Sequence, residues 1–367
     1  MKLKKLDLEK FCAFKKASFE FSPGINVLIG ANGTGKSHLM KLLYSILKAN
    51  EQAEKGNPHS PNTMLTLLPQ KLLAVFRPDP LRAEGVAREE WEGLGRLVFR
   101  SRGSTSGRVS LETDDGRLVF KLTRPGRLRG LENHLTKGKP AVFLPAREAF
   151  SMYEGFIASY KNKELAFDET YFDLCVALGA APERGPWPAE FSGLNTELEG
   201  ELGGKVHLVG GRFYVYNKDG VIESHLLAEG LRKLGTLFRL MQNGSLTRNS
   251  FLFWDEPEAN LNPRLVTLMS RMLCRLASSG VQVFVASHDY LLTHELSLAA
   301  EYPKQQPPEL QCLIRFFALS RGTDGAVSTQ QGDILADLKN NPILDEFSAL
   351  YDRRSQLFDS KETGVPT

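Results

Sequence analysis

The distribution of apolar and polar residues along the chain predicts alternating strands and helices. Residues 2–8 and 17–21 alternate apolar with polar side chains, as half-buried strands do. Residues 141–144 and 251–254 are uninterrupted apolar runs, and residues 25–29 are apolar apart from Asn26; such runs are typical of strands buried on both faces. Because such strands are usually parallel and covered by helices, the pattern predicts an α/β fold.

Apolar residues recur at helical spacing between these strands. The spacing predicts helices after residue 37, near 168–178, over 229–242, over 263–279 and near 343–357. A further buried strand is predicted at 281–286, since an apolar run follows the end of a helix there.

The middle of the chain has a different pattern and predicts an insertion over residues 51–204, with hairpins first and helices after them. Strands are predicted at 72–76, 96–100, 108–112 and 117–122, and Asp114-Asp115-Gly116 is a favourable turn between the last two. The flanking segments, 1–50 and 205–358, would form one domain. Residues 359–367 are predicted to be a flexible tail.

The composition of the chain argues against several classes of protein. The 367 residues are 42% hydrophobic with a net charge of +3, which is too small to imply a nucleic-acid partner by itself. The four cysteines (Cys12, Cys175, Cys274 and Cys312) are far apart, so neither a zinc site nor a disulfide framework is indicated. No signal segment or membrane-length apolar run is present, and we expect a cytoplasmic protein with no membrane contact.

One stretch of the insertion is strongly basic. Between Arg96 and Arg129 there are nine basic residues and three acids. The basic residues are Arg96, Arg100, Arg102, Arg108, Arg117, Lys121, Arg124, Arg127 and Arg129. They indicate either a surface for nucleic acid or the solvated face of two hairpins, and strand alternation favours the second interpretation.

The most specific chemical signal is the segment Gly30-Ala31-Asn32-Gly33-Thr34-Gly35-Lys36-Ser37. It fits the phosphate-binding loop G-x-x-x-x-G-K-[ST], and it lies between a predicted strand and a predicted helix. Backbone N–H groups and the positive end of the helix would surround phosphate oxygens. Lys36 would reach the β- and γ-phosphates, and the Ser37 hydroxyl would bind Mg²⁺. The alternative is a chance glycine turn, which this context disfavours.

Two later strand ends complete the predicted site. Asp255 and Glu256 end one buried strand, and in an open α/β sheet ligands lie at this edge. Asp255 suits a Mg²⁺ shell and Glu256 suits orientation or deprotonation of a water. His288 ends the next strand, where it could contact a γ-phosphate. The alternatives are an acidic cap on the next helix and a structural histidine.

These motifs, in this order, resemble those of ABC-type ATPases. Residues 8–14 and 21–27 are similar to the opening of the SMC, RecF and OLD branch, and the chain resembles the short prokaryotic AAA family ATPases of anti-phage defence modules. The likeness covers residues 1–48 and 222–295. It implies an ABC-type ATPase head formed by 1–50 and 205–358, with the insertion between the phosphate-binding loop and the signature segment.

The resemblance also implies roles for individual residues. Lys36 and the loop residues Gly30, Asn32, Gly33, Thr34 and Gly35 would bind ATP, and Ser37 and Asp255 would hold Mg²⁺. Glu256 would be the catalytic base and His288 the switch histidine. Residues 227–230 correspond to the signature motif, whose Gly230 would contact ATP in a second subunit, and 259–262 correspond to the D-loop, which crosses to that subunit.

Three departures from the family pattern stand out. Ala228 occupies the usual position of the signature serine, Cys12 replaces a common arginine, and no clear glutamine loop is present; residues 145–148 are its nearest counterpart. Ala228 removes one hydrogen bond that a second subunit would donate to the γ-phosphate.

The functional prediction is therefore a Mg²⁺-dependent ATPase that works as a homodimer or higher oligomer. Closure would gate a separate effector, such as a nuclease or toxin, or an activity on DNA or another nucleic acid. The alternative is a nucleotide-gated scaffold with little turnover, which Ala228 favours and Glu256 disfavours. A transporter subunit is disfavoured, because the signature is incomplete and the coupling insertion is missing.

Overall fold

The computed structural model describes residues 1–55, 63–78, 90–99, 105–136, 138–182, 191 and 193–363. Within these ranges the strands are β1 (Leu3–Phe11), β2 (Phe14–Glu20), β3 (Ile25–Gly30), β4 (Ser106–Thr113), β5 (Arg117–Thr123), β6 (Leu128–Asn133), β7 (Ala141–Leu144), β8 (Lys205–Val209), β9 (Arg212–Asn217), β10 (Gly220–Glu223), β11 (Phe251–Asp255), β12 (Gln282–Ser287), β13 (Ile314–Arg321) and β14 (Val327–Gly332). The α-helices are α1 (Lys36–Lys55), α2 (Thr63–Phe76), α3 (Phe156–Lys161), α4 (Glu169–Gly179), α5 (Leu194–Leu202), α6 (Glu229–Gln242), α7 (Pro263–Ser278), α8 (Tyr290–Glu301) and α9 (Pro342–Thr363).

The central sheet has six strands in the order β14-β13-β3-β12-β11-β7. The five strands from β13 to β7 are parallel, and β14 pairs antiparallel with β13 at one edge. All residues of β3 and β12 are buried, as expected for parallel strands covered on both faces. Parallel strands end at the same edge, so the loops after β3, β11, β12 and β7 meet there.

Alternate residues of the central strands face two separate hydrophobic clusters. Leu28, Phe253 and Phe284 belong to a cluster that also contains buried side chains of α1, of α2 and of strands β1, β2, β4 and β5. Trp254 and Val285 belong to the other cluster, together with α6, α7 and α8. Because successive side chains of each strand point to opposite faces, helices pack against both faces of the sheet.

Two smaller antiparallel sheets flank this core, one in the order β2-β1-β4-β5-β6 and one in the order β10-β9-β8. The hairpin predicted around Asp114-Asp115-Gly116 is confirmed, and the N–H of Thr113 donates to the carbonyl of Gly116 at 2.9 Å. Strands β8 and β9 form a second hairpin.

Two strand predictions in the insertion are wrong. Residues 72–76 are the end of α2, whose buried side chains recur at helical spacing: Met64, Leu68, Leu72 and Val75. Residues 90–97 form a 3-10 helix in place of the strand predicted at 96–100, and Arg100 lies outside the described residues. Apolar residues of α2 recur every three or four positions, and this spacing produces a helix. The high proportion of apolar residues in this segment is also typical of a strand.

The predicted boundary between head and insertion cuts through both larger sheets. Strand β4 of the predicted insertion pairs with β1, β5 and β6 continue the same sheet, and β7 pairs with β11. The division at 51–204 stays a prediction about organisation. Helix α9 continues to Thr363, and residues 364–367 of the predicted tail lie outside the described residues. Within the described ranges, no helix has both the length and the apolar character needed to cross a membrane.

Candidate functional site

The loop between β3 and α1 has a backbone that only glycine adopts without strain. Gly30, Gly33 and Gly35 have φ values of 153°, 78° and 94°. A Cβ atom on Gly30 would lie 2.5 Å from the carbonyl oxygen of Leu319, and one on Gly35 would lie 3.3 Å from the ring of Phe14. The loop therefore lies too close to β13 for a side chain at Gly30, and at Gly35 it lies tightly against the β1–β2 hairpin.

Lys36 begins α1 and is only 7% exposed. Its Nζ atom donates to the carbonyl oxygens of Gly30 at 2.6 Å and Ala31 at 3.2 Å, so the ammonium group lies within the curve of the loop. Burial lowers the pKa of Lys36, and this is opposed by the carboxylates of Asp255, Glu256 and Glu258. A buried cation held among backbone carbonyls is placed to exchange them for phosphate oxygens.

The tip of the loop is exposed at Asn32 and Gly33, whereas Thr34 is buried and its hydroxyl donates to the Ala31 carbonyl at 2.8 Å. Arg321, at the end of β13, donates from its guanidinium to the carbonyl of Gly33 at 3.0 Å. The sequence pattern did not identify Arg321, because it lies 288 residues from Gly33 in the chain. Its charge lies beside the loop that is predicted to bind phosphate.

Asp255 and Ser37 come together although they lie in different halves of the chain. Asp255 ends β11, and its carboxylate accepts a hydrogen bond from Ser37 in the first turn of α1. Burial raises the pKa of Asp255, the Ser37 hydrogen bond lowers it in part, and the nearby Glu256 raises it further. A hydroxyl and a carboxylate at this edge are oxygen ligands of the kind that Mg²⁺ binds together with water and phosphate.

Glu256 and His288 face each other across the ends of β11 and β12. The Oε1 atom of Glu256 lies 3.6 Å from Nδ1 of His288, and their side chains are 34% and 51% exposed. Glu256 has a φ of 52°, and its N–H donates to the carbonyl of Ala286 at 2.9 Å. The left-handed backbone at a non-glycine residue is a strained conformation, of the kind that clusters at functional sites.

Glu258 lies beneath this pair and was not identified from the sequence. It is 7% exposed, and its Oε1 atom accepts from the Ser287 hydroxyl at 2.7 Å and from the His288 N–H at 3.3 Å. Its Oε2 atom is buried without a hydrogen-bond partner among the described residues. Burial raises the pKa of Glu258, and its hydrogen bonds oppose this shift. Its position two residues after Glu256 was the available signal.

Lys233 was also missed. This lysine of α6 is 3% exposed, and its Nζ atom donates to the carbonyl oxygens of Glu256 at 3.0 Å and Ala259 at 2.8 Å. Burial lowers the pKa of Lys233, and Glu258 is the largest opposing influence. Lys233 follows Gly230 by three residues, so both lie on the same face of α6.

Gly230 contacts its own chain rather than the phosphate-binding loop. A Cβ atom at Gly230 would lie 2.6 Å from Cδ2 of Leu261 and 3.3 Å from Cδ1 of Leu265. The neighbouring Glu229 accepts from Nδ2 of Asn260 at 2.8 Å. Among the described residues, no hydrogen bond joins the start of α6 to Gly30–Ser37, so the structure does not bring these two predicted site segments into contact within one chain.

The segment proposed as the counterpart of a glutamine loop leaves β7 at the same edge. Strand β7 is parallel to β11, and residues 145–148 follow it directly. Arg147 is exposed, whereas Glu148 accepts from the guanidinium of Arg232 at 3.0 Å. This ion pair connects the segment to α6.

These residues fit a nucleotide with its magnesium ion. The loop presents N–H groups and Lys36, while Ser37 and Asp255 supply oxygen ligands. Among the described residues there is no group of three or more histidine, cysteine or acidic side chains that could hold a metal alone. A Mg²⁺ site completed by phosphates and water agrees with this.

Comparisons with known proteins agree with this geometry. A family model described as "AAA domain, putative AbiEii toxin, Type IV TA system" matches residues 79–293, which is more than half of the chain. A model described as "AAA ATPase domain" matches residues 1–82. No match was found among curated proteins.

Among solved structures, an Smc head bound to the C-winged helix domain of ScpA is 16% identical, with a TM-score of 0.52, over 93% of this chain and 100% of that chain. The SMC head of Thermotoga maritima is 13% identical, with a TM-score of 0.46, over 91% and 100%. The Pyrococcus furiosus Smc head with an extended coiled coil, bound to the C-terminal domain of ScpA, is 14% identical, with a TM-score of 0.47, over 96% and 99%. At such identities the likeness concerns the fold alone, and the predicted α/β fold of an ABC-type ATPase head is confirmed.

Proposed function

The chain belongs to this AAA-domain family, as an ABC- and SMC-like ATPase, and we propose that it hydrolyses ATP with Mg²⁺ as a head-to-tail dimer. Family membership assigns nucleotide binding by an ATPase domain. The dimer, the catalytic roles and the partners below are proposals that rest on the site.

One observation carries the proposal. Glu256 and His288 lie 3.6 Å apart at the sheet edge where Asp255 bonds to Ser37 beside the buried Lys36. Hydrolysis of a γ-phosphate requires a partly exposed acid next to oxygen ligands for Mg²⁺ and a lysine that binds phosphate. Glu256, the Ser37–Asp255 pair and Lys36 match these three requirements.

In this proposal each group has one task. The loop from Gly30 to Gly35 and Lys36 bind the phosphates, and Lys36 exchanges its bonds to loop carbonyls for phosphate oxygens. Glu256 accepts a proton from the attacking water, and His288 donates a hydrogen bond to the γ-phosphate. Ser37 and Asp255 would hold Mg²⁺, which would neutralise phosphate charge when bound.

The second subunit supplies the remaining contact. Ala228, the N-cap residue of α6, makes no side-chain hydrogen bond, so its side chain leaves the first N–H groups of this helix available to an anion. Gly230 would contact the ATP of the other copy, and residues 259–262 would lie at the crossing point. Two phosphate-binding loops would then each face the signature segment of the other chain.

Closure would gate a separate effector protein, a nuclease or a toxin, in the cytoplasm. The family description names a putative toxin and a toxin–antitoxin system, which supports a toxin-related role for the complex. DNA or another nucleic acid is the second partner class. The purified chain with Mg²⁺ is expected to leave DNA intact, since we identify no nuclease centre in its sequence.

Phosphate release by the wild type and by Glu256→Gln tests the catalytic proposal. The substitution preserves shape and removes the base, so turnover is expected to fall by about 10²-fold or more while ATP binding remains. Glu54→Gln, at an exposed acid near the end of α1, is the matched control and is expected to turn over like the wild type. Equal rates for all three proteins would overturn the enzyme assignment.

A second candidate function is a nucleotide-gated scaffold with little turnover, and Ala228 favours it. Without the signature serine, closure has one hydrogen bond fewer per site. Under this alternative, ATP and a non-hydrolysable analogue would assemble the protein with its partner equally well, and Glu256→Gln would change nothing.

A further inference from the structure

The outer face of the five-stranded sheet carries a row of positive charges that the sequence alone did not resolve. In the observed register Arg108 of β4 lies directly opposite Lys121 of β5, and Lys121 lies directly opposite Arg129 of β6. All three side chains are exposed. We call these three residues the basic row. Neighbouring strands are about 4.8 Å apart, so the row spans about 10 Å.

Elsewhere on this face, charges lie opposite their counter-charges. Lys5 is opposite both Glu20 and Glu112, Glu112 is opposite Arg117, and Glu9 is opposite Lys16. Opposite charges across strands stabilise a sheet, whereas like charges in directly opposed positions destabilise it. The basic row departs from a rule that the rest of the face obeys.

Two acids lie near the three cations of the basic row, too few to balance their charge. Glu9 lies opposite Arg108 on the β1 side, and Glu132 of β6 lies opposite Val119, two residues from Lys121. None of the three cations has an ion-pair partner among the described residues. Arg96, Arg124 and Arg127 have partners of their own, and Arg100 and Arg102 lie outside the described residues.

A concave surface adjoins the row. A cavity of about 570 Å³ on this face is lined by Arg108, Lys16 and Arg117 together with hydroxyl groups of Ser18, Ser110 and Ser328. Asp7 and Glu9 also line it. Hydroxyl groups and cations are the side chains that most often contact phosphate oxygens.

From this register we infer that the basic row binds the phosphate backbone of a nucleic-acid duplex. A duplex carries about one negative charge per 1.7 Å of its axis, so a row of about 10 Å meets several phosphates. Their charge offsets the repulsion within the row, which explains why three like charges are tolerated in opposed positions.

The same face argues against two other occupants. Among the described residues, no large apolar side chain of β1, β2, β4, β5 or β6 is exposed, so the sheet offers no surface for stacked bases or an apolar protein partner. Binding of single strands depends on such stacking. The row is therefore suited to backbone contacts, and binding is expected to be independent of sequence.

Fluorescence anisotropy of the full chain with a labelled DNA duplex of random sequence, without ATP, tests the inference. The triple variant Arg108→Gln, Lys121→Gln, Arg129→Gln should bind at least about tenfold more weakly at low salt, and its log–log salt dependence should be about 3 units shallower. The matched control is Lys205→Gln, Lys218→Gln, Lys304→Gln, three exposed lysines outside this sheet with the same total charge change. It should bind within about twofold of the wild type.

Three outcomes would overturn the inference: no binding by the wild type, equal losses in both triple variants, or preference for a single strand over the duplex. Polyglutamate and anionic vesicles serve as competitors. Displacement of the duplex by either at equal charge concentration would also overturn the inference, because the row would then recognise acidic surfaces in general.

The substitution Lys121→Glu separates binding from folding. It places an acid between Arg108 and Arg129, so the melting temperature should rise by about 1–3 °C while duplex binding falls. A fall in both quantities would mean that the row is structural. The inference deepens the nucleic-acid part of the proposed function but does not depend on hydrolysis: Glu256→Gln should bind the duplex like the wild type, whatever its turnover.

Discussion

Two buried charges hold the backbone on which Glu256 and His288 lie. Lys233 binds the carbonyl of Glu256, and Glu258 binds the hydroxyl of Ser287 and the N–H of His288. The charge of Glu258 offsets part of the cost of burying Lys233, as its influence on the pKa of Lys233 indicates. The strained φ of Glu256 can persist because these contacts fix it from below.

Lys233 is therefore predicted to be a positioning residue for Glu256. Lys233→Met should lower the rate constant for hydrolysis by about 10- to 100-fold, since a misplacement of about 1 Å at a reacting group has an effect of this size. The affinity for ATP should stay unchanged. Lys233→Arg, which keeps the charge and the N–H donors, should restore part of the rate. Single-turnover and ATP-binding measurements on both variants check this.

A merely structural role for Lys233 would give a different pattern. Losing both bonds to buried carbonyls is expected to cost about 1–3 kcal/mol of unfolding free energy. If the rates of the two variants follow their melting temperatures, and the arginine does not restore hydrolysis selectively, the positioning role is wrong.

The raised pKa of Glu258 predicts a pH dependence of stability. Because the folded-state pKa lies above the ordinary value of 4.5, the folded chain holds the proton more tightly than the unfolded chain. This contribution to stability is fully present below pH 4.5 and is lost as the pH rises through the folded-state pKa. Glu258→Gln does not titrate, so its melting temperature should gain on the wild type as the pH rises through this range. A constant difference would contradict the prediction.

The sequence located the groups at the strand ends but missed the residues beneath them. Asp255, Glu256 and His288 could be predicted because each ends an apolar run, and parallel strands deliver their ends to one edge. Lys233 and Glu258 carry no such local signal. Their importance comes from contacts across 23 to 30 residues of chain, which only the tertiary structure shows.

At the scale of elements, α6 and the segment after β11 behave as one unit. Gly230 lets Leu261 pack against the helix, Asn260 bonds to Glu229, and Lys233 reaches back to Glu256. We therefore expect a displacement at the start of α6 to be transmitted to the turn that carries Glu256. In this way, contact of the signature segment with the nucleotide site of the second chain would also affect the position of Glu256 in its own chain.

Two helical glycines test this coupling. Gly230→Ala places a Cβ 2.6 Å from Cδ2 of Leu261 and should reduce ATP turnover, because Leu261 or α6 must move. A Cβ atom on Gly200 in α5 would have no neighbouring atom within 4 Å, so Gly200→Ala should leave turnover unchanged. It should also raise the melting temperature by about 1–3 °C through helix propensity. Equal effects of the two substitutions on turnover would contradict the coupling.

Elements with a clear period were predictable, and those with mixed signals were not. The hairpin of β4 and β5 has both strand alternation and a favourable turn, and it forms as expected. Helix α2 contains Pro69 and a dense apolar run, and this density predicts a strand where the spacing of three and four residues forms a helix. The register that brings Arg108, Lys121 and Arg129 together depends on strand pairing over a distance, which alternation alone does not specify.

At the scale of the whole molecule, we expect the incomplete signature to determine how readily two copies of the chain close on ATP. Ala228 is the N-cap residue of α6 and offers no side-chain hydrogen bond there. In a Glu256→Gln background, where hydrolysis is blocked, light scattering with ATP should reveal a dimer that is absent without nucleotide. A monomer at saturating ATP would contradict the head-to-tail arrangement.

Two substitutions at Ala228 separate helix capping from closure in that background. Serine and aspartate both cap a helix, so Ala228→Ser and Ala228→Asp should each raise the nucleotide-free melting temperature. Serine can also donate to a γ-phosphate in the other chain, worth about 0.5–1.5 kcal/mol per site, whereas aspartate repels it. The ATP concentration for half-maximal dimerisation should therefore fall by about tenfold with serine and rise with aspartate. If both variants shift it in the same direction, the start of α6 does not face the nucleotide of the partner.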